Sequence, residues 1–172
     1  MKKMSAKLNK ILILSFFLII ICSCKKEENN QSRTMEQELA ELNAFILEKE
    51  ANGLDVDTTD VGVYYIIRKE GEGPFPERGD TCYISYLSYF LNGKLYESSN
   101  DIFPNGIWKF IYKEADMIPG LINGIGQMNK DAKTDIIIPS YLAYGDKQEG
   151  TIPPFTTLIY VTTMHDLRPV KD

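Results

Sequence analysis

The chain has 172 residues, enough for one domain with appendages, and its 44% hydrophobic and 25% charged content is ordinary for a globular protein with a packed core. A formal net charge of −5 makes it a poor candidate for binding a phosphate backbone, so nucleic acid is not an expected partner. One histidine and three cysteines give no support to a zinc site of the Cys/His type.

Taken in order, residues 1–23 stand apart. Lys2, Lys3, Lys7 and Lys10 form a cationic start, followed by an apolar run from Ile11 to Ile21. That run has the size of a signal-peptide core and is short for a membrane span. Ile21-Cys22-Ser23-Cys24 resembles the bacterial lipobox, with a small residue before the acylated cysteine. The favoured reading is cleavage before Cys24 and lipidation there; the alternative is an uncleaved membrane anchor. Lipidation would place the protein in the cell envelope, on the periplasmic side of the outer membrane or at the cell surface. Without the first 23 residues, fifteen Lys and Arg face twenty-four Asp and Glu, a formal net charge of −9. Cys82 is then the one cysteine left without lipid, so no intrachain disulfide is expected. It sits in an alternating strand and reads as a small buried hydrophobe. Residues 24–33, polar throughout, read as a disordered tether.

A helix is predicted over 34–53. Thr34 and Gln37 fit a capping box, Leu39, Leu42, Phe45 and Ile46 follow at helical spacing, and Gly53 is a plausible stop. Its opposite face is acidic, and packing on the domain is preferred to pairing with a partner helix. The main domain is expected over 61–170. Val63–Ile67 reads as a strand closed by Gly71-Glu72-Gly73-Pro74 and Pro76. Thr81–Leu91 is a second, with Cys82, Ile84 and Tyr86 on one face. Asn92-Gly93 marks a hairpin, and Leu95-Tyr96 begins the return strand. After a loop with Pro104-Asn105-Gly106 comes a strand over 107–111, with Trp108 and Phe110 facing the same way. Met117–Met128 is the organising element: Ile118, Leu121, Ile122 and Ile125 make one apolar helix face. Pro119 suits its first turn, while Gly124 and Gly126 weaken it, so the helix needs a sheet to wrap it. Thr134–Pro139 is an apolar run, Tyr141–Pro154 a long loop, and Thr157–Leu167 the final strand. The fold class is α+β: a twisted antiparallel sheet, a half-barrel, around one short central helix, with an amphipathic helix at the N-terminal side.

Conventional catalytic parts are missing. A Ser-His-acid triad would have to use His165, read as a solvated surface residue, and no nucleophile motif accompanies it. Gly124-Ile125-Gly126 lacks the third glycine of a dinucleotide loop. No cofactor or metal is expected. A reaction that needs only a shaped apolar pocket still fits.

Several motifs in register resemble the FKBP family of peptidyl-prolyl isomerases. They are Tyr86; Asn92-Gly93-Lys94 with Tyr96-Glu97-Ser98-Ser99; Met117-Ile118-Pro119-Gly120-Leu121 with Gly124; Leu142-Ala143-Tyr144-Gly145; and Ile152-Pro153-Pro154 with Thr157-Leu158. The resemblance covers about Gly79 to Leu167. Together with the lipobox it is similar to lipoprotein isomerases of the gliding-motility-associated kind, and Lys25-Lys26-Glu27-Glu28 resembles surface-export signals of such lipoproteins.

The resemblance implies rotation about the bond preceding a proline. Resonance sets a barrier of roughly 18–20 kcal/mol, and uncatalysed X-Pro exchange takes tens to hundreds of seconds. A twisted amide has lost resonance and polarity, so an apolar site that prefers it catalyses without nucleophile, acid or metal. By resemblance, Tyr86, Glu97, Ile118 and Tyr144 are the catalytic residues. Tyr96, Trp108, Phe110, Met117, Leu121, Ile152 and Tyr160 would line the proline pocket. Ile118 would offer its backbone N–H, and Tyr144 its hydroxyl, to substrate carbonyls. Glu97 matches a pocket-edge Asp, and its extra methylene puts the carboxylate at risk of missing its partner. Leu121 stands where the family usually has a Trp, which makes the pocket roomier. Trp108 and Tyr160 stand where Phe is commoner, and the Tyr160 hydroxyl needs a partner. These departures weaken the expected affinity for macrolide ligands. The expected partners are proline-containing polypeptides of the envelope and, through Cys24, the membrane. The rival reading is an FKBP-shaped docking module of an envelope or motility machine, without useful isomerase activity.

Overall fold

The computed structural model describes residues 33–170. The expected signal segment, the lipidation site Cys24 and the tether up to Ser32 lie outside the described residues.

Helix α1 spans Met35–Ala51. It starts where the capping box closes: the Gln37 N–H donates to Thr34 Oγ1 at 3.3 Å and the Thr34 N–H to Gln37 Oε1 at 3.1 Å. It ends before Gly53, whose φ of +79° is the left-handed turn that favours glycine. Leu42 and Ile46 are buried against Ile66, Ile137 and Ile159, with Phe45 packed beside them. Two expectations are corrected here. Leu39 is exposed, and the inner face instead includes Glu38, which is fully buried. The cause is angular: Glu38, Leu42 and Ile46 are four apart and stack along one line of the helix.

Strands β1 (Asp57–Thr58), β2 (Tyr64–Lys69), β3 (Thr81–Phe90), β4 (Leu95–Ser98), β5 (Trp108–Ile111), β6 (Lys133–Ile138) and β7 (Leu158–Arg168) form one seven-stranded sheet. The order is β1-β2-β6-β7-β3-β4, and every pairing is antiparallel. One edge of β3 is divided: β5 pairs with Thr81–Ile84 and β4 with Leu87–Tyr89. In β3 the pleat buries Cys82, Ile84 and Tyr86 on the inner face. Burial pushes the Cys82 thiol up to about 12, with nearby Asp80 adding to it, so it stays a protonated hydrophobe. His165 is exposed, its Nε2 2.7 Å from Ser85 Oγ. The hairpin at Asn92-Gly93 closes through the Phe90 N–H donating to Lys94 O at 3.0 Å, with Gly93 at φ +80°.

Helix α2 (Ser99–Ile102) is a single turn between β4 and β5, started by Ser98 Oγ accepting from the Asn100 N–H at 3.2 Å. The central helix α3 covers Pro119–Ile125, shorter than the expected three turns. Its buried face is also rotated from the expected stripe. Gly120, Leu121, Gly124 and Ile125 are buried, whereas Ile118 and Ile122 are partly exposed. The reason is distance to β6. A Cβ on Gly120 would lie 2.2 Å from Ile138 Cγ2, and one on Gly124 2.2 Å from Ile136 Cγ2. The glycines that weaken the helix are what let it lie on the sheet. The core therefore has two parts, α3 inside the sheet's curve and α1 on its outer face. Among the described residues, no helix is long and apolar enough to cross a membrane.

Candidate active site

Four strands, α3 and one loop deliver the expected pocket residues to a single place. β3 supplies Tyr86, β4 Tyr96 and Glu97, β5 Trp108 and Phe110, and β7 Tyr160. Met117 and Ile118 lie just before α3, Leu121 in its first turn, and Tyr144 and Ile152 on the loop joining β6 to β7. Tyr86, Phe110, Leu121, Ile152 and Tyr160 are buried members of one apolar cluster, and Tyr96, Trp108, Met117, Ile118 and Tyr144 are half-buried against it. Every apolar or aromatic residue expected at the pocket is thus in that cluster.

Tyr86 is the hub. Its ring meets Tyr160 at 5.4 Å between centroids and Trp108 edge-on at 6.1 Å. Its hydroxyl donates to Glu97 Oε1 at 2.7 Å, so the longer side chain of Glu97 does reach a partner. The Tyr160 hydroxyl has one as well, accepting from the Tyr96 hydroxyl at 2.9 Å. Phe110 packs on Trp108 with tilted rings, 4.8 Å between centroids.

Three residues that the sequence reading missed complete the frame. Phe103 stacks on Trp108 at 5.4 Å and 7° between planes, and Phe90 stacks on Tyr96 at 5.0 Å. Buried Ser99 accepts from the Tyr86 N–H at 3.0 Å. For Ser99 a signal existed, the Ser98-Ser99 pair directly after Glu97. Phe103 sits between two short turns and has no periodicity to mark it.

Burial keeps the phenols neutral. The Tyr86 hydroxyl is pushed far up by desolvation, and its bond to Glu97 adds to that. Burial also pushes Tyr160 up to about 12 and raises Tyr144, with Glu149 and Glu97 adding to the latter. Each phenol is therefore a dependable hydrogen-bond donor at neutral pH. Ile118 is the N-cap of α3, and the helix ladder makes no use of the N–H at that position. The site offers a cluster of aromatic rings, one backbone donor, one hydroxyl donor and a carboxylate beside them. Such a set can hold and desolvate an amide, and it contains no positioned nucleophile.

A half-barrel sheet around a short helix, with an aromatic cluster packed against Ile118 and Leu121, defines the class. The chain belongs to the FKBP-type peptidyl-prolyl cis-trans isomerase family, whose model matches residues 73–165. It is 30% identical over 122 residues to the FKBP-type isomerase FkpA of Escherichia coli K12, covering 71% of this chain and 44% of FkpA. The FKBP-type 22 kDa isomerase of the same organism is 31% identical over 131 residues, covering 72% of this chain and 59% of that protein. This chain spans about half the length of the curated relatives it matches. Among solved structures, FkpA from Escherichia coli superposes with a TM-score of 0.64 at 26% identity, over 80% of this chain and 64% of that one. An isomerase from Pseudomonas syringae gives 0.65 at 24% identity, over 80% and 98%, and supports the fold.

Proposed function

We propose that this protein catalyses cis-trans isomerisation of X-Pro bonds in polypeptides of the cell envelope. The observation that carries the reading is the Tyr86 hub: its ring packs with Trp108 and Tyr160, and its hydroxyl holds the carboxylate of Glu97 beside them. A prolyl ring enters among Tyr86, Trp108 and Tyr160. The Ile118 N–H and Tyr144 hydroxyl hold flanking carbonyls, and the apolar walls favour the twisted, less polar amide over either planar form. The lipobox-like Ile21–Cys24 supports anchoring through lipid at Cys24 and a place in the envelope. Macrolides that fill such a recess are expected to bind it weakly, because Leu121 leaves its floor less covered than a Trp would.

A second reading has one specific observation in its favour. With Leu121 as the buried floor, the recess suits a docking module that has lost most of its catalytic power.

Protease-free isomerisation of an X-Pro peptide panel separates the two, with Trp108 fluorescence reporting binding. Wild type should accelerate exchange. Tyr144→Phe should lower kcat/KM about tenfold, the loss of one hydrogen bond worth roughly 1–1.5 kcal/mol. Binding without acceleration, with activity gained in Leu121→Trp, would establish the docking reading instead. Neither acceleration nor a Trp108 response would overturn both.

A further inference from the structure

The loop from Ser140 to Thr157 carries Tyr144 and Ile152 to the recess, and both its ends converge on one side chain from outside the family-matched residues. That side chain is Glu38, in the first turn of α1 and fully buried. Its Oε1 accepts from the Ser140 N–H and from the Thr157 hydroxyl, each at 2.7 Å. Its Oε2 accepts from the Ser140 hydroxyl. Two residues before α1, Arg33 Nε donates to Phe155 O at 2.7 Å. Phe155 has a φ of +49°, a left-handed conformation that an aromatic residue rarely adopts, and its N–H donates to Gly145 O at 2.7 Å. The returning limb of the loop is thus held in a strained shape by groups at the start of α1.

Covering the outer face of the sheet does not explain Glu38. Leu42 and Ile46 already do that, and an apolar residue at position 38 would bury at lower cost than a carboxylate. What a carboxylate adds is the ability to gather several donors from two strands' ends at one point.

We propose that Glu38 is a positioning residue for the X-Pro site: by tying Ser140 to Thr157 it fixes the loop that presents Tyr144 and Ile152. Helix α1 thereby sets the shape of a recess that it does not line. This rests on the isomerase reading above.

The test uses the full chain, four single variants and one double variant, each assayed well below its own unfolding midpoint. Glu38→Gln keeps the size but turns one acceptor into a donor facing a hydroxyl; Thr157→Val removes one donor from the other side. Both should lower kcat/KM, Glu38→Gln by about tenfold, whereas in a Tyr144→Phe background Glu38→Gln should cost less than about threefold, since the two act through one group. Leu42→Ala, which removes apolar packing between α1 and the sheet but leaves Glu38 and its bonds to Ser140 and Thr157 in place, should stay within about twofold of wild type. A second readout needs no activity. Lys147 is exposed on the loop, and tryptic cleavage after it should be much faster in Glu38→Gln than in wild type or Leu42→Ala. Multiplying losses in the double variant, equal losses in Glu38→Gln and Leu42→Ala, or unchanged cleavage at Lys147 would each overturn the proposal. If wild type does not isomerise at all, the isomerase reading fails, and cleavage at Lys147 alone still decides whether Glu38 holds the loop.

Discussion

Tyr86 and Glu97 show how a residue-level contact converts packing into chemistry. The ring fixes Trp108 and Tyr160, and the hydroxyl fixes the carboxylate, so one side chain sets both the apolar and the polar edge of the recess. The two are expected to be strongly coupled. Tyr86→Phe and Glu97→Gln should each lower kcat/KM, and a double-mutant cycle should return a coupling of about 1–2 kcal/mol, typical of a half-buried bond to a carboxylate. Strictly additive losses would show that the 2.7 Å contact carries no energy. At this scale strand alternation puts Tyr86 on a face with Cys82 and Ile84, and Trp108 on a face with Phe110, whereas Tyr96 and Tyr160 join them only through the family motifs. The contacts of Glu38 were not legible. Its partners lie more than a hundred residues away, and a carboxylate four residues before Leu42 reads as solvated until those donors arrive.

At the scale of elements, α3 is decided by a contest between propensity and contact. Gly124→Ala gains about 1 kcal/mol of helix propensity. The new methyl, however, would stand 2.2 Å from Ile136 Cγ2 in a fully buried site, and such overpacking costs about 1–3 kcal/mol. With so short a contact the upper end applies, so Gly124→Ala should destabilise by about 2 kcal/mol in urea unfolding despite the better helix former. Thr34→Ala, which removes a capping box and no packing, should cost about 1 kcal/mol. A Gly124→Ala variant at or above wild-type stability would mean that α3 can lift off β6 freely. The same contest explains why the apolar stripe expected on α3 was rotated. Hydrophobic spacing marks bulky positions, but a helix pressed against a sheet turns its smallest residues inward. Helix α2 and β1 escaped notice for a simpler reason, being too short to show any period.

For the molecule as a whole, the buried phenols tie stability to alkaline pH. Tyr86, Tyr96 and Tyr160 all have values raised by burial, Tyr160 to about 12. The unfolded chain releases those protons near 10 while the folded chain keeps them. Their contribution is therefore complete below about 10 and is lost as pH rises through the folded values. Phenolate absorbance should split the ten tyrosines into an exposed set that ionises reversibly and a buried set that ionises only as Trp108 fluorescence reports unfolding. A single transition near 10 with native Trp108 emission would contradict this. The half-barrel itself was legible from strand spacing and the hairpin at Asn92-Gly93. The division of β3's edge between β4 and β5 was not, since both strands read simply as the next ones in line.

That divided edge matters for a protein proposed to act on other polypeptide chains. A long bare strand margin would invite such chains to pair with it and grow into aggregates. Here one margin is broken into two four-residue pieces with α2 between them, and a register shift lies at Ser88/Tyr89. The other ends in the two-residue β1 and in Arg68 and Lys69 beside a second shift in β2. Neither side presents an uninterrupted template, so a chain made to pair with this sheet would find no long strand margin to extend.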